Sequence, residues 1–207
     1  MILDASTRKN LELIETLREK NKYGSLLWSI DKTKTNMGAR LLKSWICQPL
    51  KSVNDILKRQ NAITELVEKE NVRYALSDNL EKIYDIQRLA TRMSNGSASP
   101  KDFVSLKISL SMLPTLLDMT ETLEHDMLKP VREYREAIED YVNMIEYTIV
   151  ENPPVLIKEG GIVKEGVSGE LDYFRDLLSG GEEWLKKFTE EEKERTGIKN
   201  LKVGYNK

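Results

Sequence analysis

The chain has 207 residues, 40% hydrophobic and 32% charged, with 32 Lys and Arg against 34 Asp and Glu. That length buries roughly 70% of the unfolded surface in one domain or two modest ones, and no apolar run approaches the roughly 20 residues of a membrane span. The start "MILDASTRKN" lacks the basic flank and apolar core of a signal peptide, and one cysteine leaves no internal disulfide, so a reducing, cytoplasmic setting is expected.

In chain order, Leu11, Ile14 and Leu17 are spaced for a first short helix. After the polar break "DKTKTN", Met37, Leu41, Leu42, Trp45 and Ile46 fall three or four apart, and Pro49 stops that helix. A helix opens at "SVND", where Ser52 caps and Asp55 reaches back, with a stripe of Val53, Ile56, Leu57, Ile63, Leu66 and Val67. "YALSDNLEKIYDIQRLATRM" reads as one further helix, ended by "SNGSAS". "SPKD" restarts the chain, with Ser99 as cap, Pro100 at the first helical position and Asp102 at the third. Pro114 is expected to bend or divide that helix, and another follows Pro130 as far as "TIV".

Short β-like segments are expected near 155–167, where "VLIKEGGIVKEGV" is β-branched and glycine-punctuated, and at 201–205, where Leu201, Val203 and Tyr205 alternate. Between them, residues 168–194 read as a long helix whose polar end leaves the body as a protruding arm. The lone final strand has no partner for its backbone groups, so the chain is expected to be cut within a larger architecture. The fold class is thus all-α and multi-helical, with a helical body over 1–167 and the long helix and its exit over 168–207.

Chemistry is sought and not found. "GIVKEGVS", Gly161 to Ser168, has phosphate-loop glycine spacing, but Val167 stands where the essential lysine belongs. His125 is the single histidine, which leaves no histidine-based zinc cluster or paired acid–base machinery. Cys47, beside Trp45 and Ile46, reads as a buried small hydrophobe. Trp28, Trp45 and Trp184 lie on apolar stripes, where packing outranks base stacking, and Trp45 is expected in the core with Leu41 and Leu42. The first 60 residues carry twice as many basic as acidic side chains. Arg18, Lys20, Lys22, Lys32, Lys34 and Lys43 therefore form either a phosphate-binding face or, more simply, a solvated one. No residue is assigned to catalysis, cofactor, metal or DNA.

"LDASTRKNLELIETL" and "GSLLWSIDKTKTNMGARLLKSWICQPL" closely resemble the core domain of the bacterial MutS family. The resemblance continues through "RQNAITELV", "IYDIQRLATRMSNGSASPKDF", "IKEGGIVKEG" and "ELDYFRDLLSGGEEWLKKFTEEEKERTGIKNLKVGYNK" and covers essentially the whole chain. It implies the first segment of the MutS core (lever) domain, the descending lever helix and the entry to a clamp domain. The implied function is the structural, signal-transmitting core of a DNA mismatch-recognition ATPase, coupling DNA-clamp and ATPase regions. The family's Phe-x-Glu wedge, Walker motifs and ABC signature do not occur here, so the segment itself is expected not to be an enzyme. ATP and Mg, mismatched double-stranded DNA, homodimerisation and a MutL-type partner are implied for the parent protein. Rival readings are a self-standing helical nucleic-acid-binding module and a carboxylate-metal enzyme. The stretch Gly24–Leu50 is expected to be a tightly packed, stiff junction.

Overall fold

The computed structural model describes residues 3–129, 135–198 and 200–203. The chain divides into two compact units, Met1–Ile162 and Val163–Lys207. Among the described residues the fold is all-α and multi-helical, with no β-strand, and no helix is long and apolar enough to cross a membrane.

The first unit holds α1 (Ala5–Asn10), α2 (Leu26–Ile30), α3 (Asn36–Cys47), α4 (Val53–Glu68), α5 (Glu70–Leu80), α6 (Ile86–Ser94), α7 (Pro100–Met119) and α8 (Arg135–Thr148). Helix starts follow local chemistry. Asp4, Ser25, Thr35 and Ser52 each accept a backbone N–H of the first turn of the helix that follows. At α7, Ser99 N–H donates to the Asp102 carboxylate at 2.6 Å, beside Pro100 at the first position. The start of the helix expected after Pro130 lies outside the described residues.

α7 is the hub, packing against α5, α6 and α8. Buried apolar side chains are Leu13, Leu27, Ala62, Ile83, Leu89, Leu116, Leu123 and Ile145. Pro114 does not divide α7, which runs unbroken for 20 residues despite the carbonyl left without its helical N–H partner.

Two sequence expectations change here. Leu11, Ile14 and Leu17 are not helical, because residues 11–19 form turns. Glu12 takes φ 48°, and backbone bonds from Leu26 N–H to Glu12 O (3.0 Å) and Leu27 N–H to Leu13 O (2.9 Å) dock this loop against α2. Burial of Leu13 and Leu27 replaces the amphipathic stripe. The stretch expected as one helix from Tyr74 to Met93 is two, α5 and α6. The wholly buried Ser109 hydroxyl accepts Tyr84 N–H at 3.0 Å and donates to Ser105 O at 2.9 Å, which fixes the break.

The second unit is built on α9, Gly169–Thr196. Its 28 residues make a rod of about 42 Å at helical rise. Ser168 caps it by accepting Leu171 N–H, and Gly197 ends it in the left-handed conformation, φ 71°. Gly180 and Gly181 lie inside the helix without interrupting it.

The expected β-like segments near 155–167 and 201–205 are not strands. The first consists of turns, a 3-10 turn at Ile157–Glu159 and a single bridge residue at Val163, and Leu201–Val203 is irregular; Gly204 and Tyr205 lie outside the described residues. Gly160, Gly161 and Gly166 take φ of 73°, 66° and 81°, which turns the chain repeatedly where a strand must stay extended. One backbone bond, Val150 N–H to Ile162 O at 2.9 Å, ties the loop to the end of α8. β-branched composition alone does not make a ladder without an adjacent edge.

Candidate functional site

The basic N-terminal residues do not act as one free patch. Lys22 pairs with Asp31 at 2.8 Å and Lys34 lies 3.6 Å from Glu81. The Lys22 ammonium, with the Thr33 hydroxyl, holds the Asp31 carboxyl down to about 2. Arg18, Lys20, Lys32 and Lys43 are exposed and form no ion pair among the described residues. Tyr23 and Trp28 share this region as a tilted ring pair 4.3 Å apart, with Trp28 45% exposed.

α3, like α5, lies shallowly in its unit. It carries a strongly one-sided apolar stripe, yet none of its side chains is fully buried and Leu41 is 52% exposed. Trp45 is therefore not the core residue its spacing implies. It is half-buried, with the Arg59 guanidinium of α4 lying 3.7 Å over its ring in a cation–π contact. At its other end Arg40 reaches across 45 residues to the N-terminus of α6. Its two terminal nitrogens donate to the Asp85 carboxylate at 2.5 and 2.9 Å and to Gln87 Oε1 at 2.7 Å. Asp85 in turn caps α6 by accepting Arg88 N–H at 3.2 Å. Arg40 beside it keeps the Asp85 carboxyl below the ordinary carboxylate range. Within the junction expected over Gly24–Leu50, Ser25 and Leu27 at α2 are buried, whereas α3 is half-buried along its stripe and is held as well by a bidentate ion pair and a cation–π contact.

Sequence reasoning passed over Arg40, Arg59, Asp85 and Gln87. The available signal was local: "YDIQR" offers an Asp one residue before an apolar period, an N-cap whose charge calls for a partner.

The remaining chemistry-bearing residues serve structure. His125 Nδ1 accepts Met127 N–H at 3.2 Å and caps the 3-10 turn Asp126–Leu128. Beside it, the Glu65 carboxylate accepts Lys69 Nζ at 2.8 Å and the amides of Glu124 (2.6 Å) and His125 (2.9 Å), which lowers its carboxyl to about 2. Lys69 Nζ also donates to Thr122 O. Cys47 is a half-buried free thiol at the last residue of α3. Among the described residues, no group of three or more His, Cys, Asp or Glu is placed to hold a metal ion.

In the second unit, Gly166 N–H donates to the Asp172 carboxylate at 2.8 Å, so this donor of the glycine loop already faces a negative charge of its own helix. Arg175 pairs with Asp172 at 3.0 Å and donates to Val163 O at 2.6 Å. Ser168 Oγ accepts from the helix rather than facing a ligand. Trp184 stacks on Phe188 at 5.1 Å with planes 8° apart and stays 60% exposed.

A family model described as MutS domain III matches residues 6–201. The DNA mismatch repair protein MutS of Lachnoclostridium phytofermentans is 48% identical over 207 residues, 100% of this chain and 22% of that protein. The proteins of the same name from Acetivibrio thermocellus and Bacillus subtilis are 45% and 41% identical, again over 100% of this chain and 24% of their own lengths. The chain therefore spans about a quarter of the relatives it matches. A match to nearly every residue, in a fold of helices throughout, places this chain in the MutS family as its domain III.

Proposed function

We propose that this chain is the structural, signal-transmitting core segment of a DNA mismatch-recognition ATPase, lying between regions that clamp DNA and regions that hydrolyse ATP. Residues 1–167 serve as the first segment of the helical core, and residues 168–207 as the lever helix and the entry to a clamp. The observation that carries this reading is the family match over residues 6–201 to a segment whose polar clusters are spent on caps and ion pairs. ATP and Mg belong to another part of the longer polypeptide, as do the contacts that read mismatched double-stranded DNA, form a homodimer and engage a MutL-type partner. The relatives' name, DNA mismatch repair protein MutS, supports that assignment.

A rod transmits displacement only while it stays rigid, and α9 is 28 residues of uninterrupted helix. Insertion of two glycines between Gly180 and Gly181, made in the longer polypeptide, tests the reading. The expected result is loss of DNA-stimulated ATP hydrolysis, with basal hydrolysis and mismatch-DNA affinity retained. DNA stimulation that survives the insertion at its original ratio overturns the reading.

A further inference from the structure

We infer that Arg40 and Arg92 are positioning residues that act in series, carrying a displacement of α3 through α6 to α7. The inference rests on the signal-transmitting role proposed above and assigns it a route. Two guanidinium–carboxylate bridges lie one after the other in the fold, a bidentate one at Asp85 and a single hydrogen bond at Asp102. Arg40 on α3 holds Asp85, and Asp85 caps the N-terminus of α6. Arg92, near the other end of the same helix, donates to Asp102 at 3.0 Å. Asp102 is the carboxylate that accepts Ser99 N–H at the start of α7. Each arginine thus grips the group that organises the first turn of the next helix, and α7 packs against α5, α6 and α8.

The setting makes these bridges consequential. α3 has no fully buried side chain, its stripe of Met37, Leu42, Trp45 and Ile46 being half-buried, so directional polar contacts add the positioning that burial leaves out. A bidentate arginine fork fixes angle as well as distance, which a lone ammonium does not. The carboxylates are shielded, Asp85 being 10% and Asp102 12% exposed at their side chains, while the guanidinium side chains stay 41% and 51% exposed. Leu89, buried in the middle of α6, lies between the two bridged residues Asp85 and Arg92 in sequence and anchors the helix that joins them.

The test is a double-mutant cycle in the longer polypeptide, reading the ratio of DNA-stimulated to basal ATP hydrolysis. Arg40→Gln and Arg92→Gln are each expected to lower that ratio about fivefold or more, the lower end of ordinary allosteric couplings, with basal hydrolysis unchanged. The double variant is expected to be no worse than the poorer single one, because two breaks in one series do not add. Arg40→Lys, which keeps charge but not the fork, is expected to fall between. Gln87→Ala removes one acceptor from an exposed side chain, and a smaller loss of the ratio is expected; this variant serves as the probe if Arg40→Gln does not fold. Losses that multiply in the double variant overturn the series. Basal hydrolysis that falls in parallel with the ratio makes the arginines merely structural and also overturns it. A ratio unchanged by every arginine variant but abolished by the α9 insertion sinks this inference alone; a ratio unchanged by the insertion as well sinks the functional reading beneath it.

Discussion

Around α7, helices meet through buried apolar side chains, with Leu89, Leu116 and Ile145 each less than a tenth exposed, and the ion pairs Arg92–Asp102 and Lys107–Glu146 lie beside that core. Around α3, Leu41 and Trp28 remain about half exposed while an arginine fork and a cation–π contact hold the helix in place. Both regions are regular helix, so regularity of the backbone says nothing about how firmly an element is anchored. Burial is non-directional and tolerates small shifts only at the cost of voids. A fork of hydrogen bonds has one favoured geometry and leaves the outer surface available for contact.

This contrast is open to direct test by urea-denaturation midpoints. Leu116→Ala, which empties the hub, is expected to cost about 2–5 kcal/mol. Asp102→Ala removes a cap and strands the Arg92 guanidinium, so about 2–3 kcal/mol should be lost. Trp45→Ala gives up half an aromatic burial and one cation–π contact, and a loss of about 1–2 kcal/mol is expected. If that loss equals the one for Leu116, the distinction between the two regions collapses. Leu41→Ala should change the midpoint by no more than about 0.5 kcal/mol, as for other exposed positions.

Acid separates the regions more finely. Asp31, beside α2 and α3, and Glu65, on α4, have carboxyls held near 2, below their ordinary 3.8 and 4.5. The unfolded chain therefore binds these protons first. The stabilisation is complete above about pH 4.5 and is lost as pH falls towards 2. Glu65→Gln should flatten the acid limb of the stability profile, and Asp31→Asn should flatten it over a narrower window opening nearer pH 3.8. Midpoints between pH 2 and 5 that match the unmodified chain for both variants would show that neither carboxylate is held as described.

What the sequence discloses depends on whether the interaction is local. The cap at Ser99, Pro100 and Asp102, the stop at Ser94 and the long helix read over 168–194 involve residues a few positions apart, and each was legible, whereas its closure by Gly197 was not read. The first helix was misplaced because its leucines keep helical spacing while the deciding bonds join Glu12 and Leu13 to residues fourteen positions later. The break at 81–85 depends on Ser109, 25 residues beyond Tyr84, and no helical period announces it. At the candidate site the failure was of the same kind. The lysines look like a patch in one dimension, but Lys22 and Lys34 find carboxylates 9 and 47 positions away. The β-like reading of 155–167 failed because glycine placement outweighed β-branched composition.

The base of α9 has a kinetic implication. Its two non-helical anchors, Gly166 to Asp172 and Arg175 to Val163, close loops of six and twelve residues. Loops of that size close within about 10–100 ns, whereas an isolated helix must overcome an unfavourable first turn. A closed loop that already orients Asp172 and Arg175 supplies that turn, so α9 is expected to wind from its Ser168 end outward. Its backbone-bonded amides from Asp172 to Asp176 should then be the last of the helix to exchange with solvent, and among its bonded amides those beyond Glu190 the first.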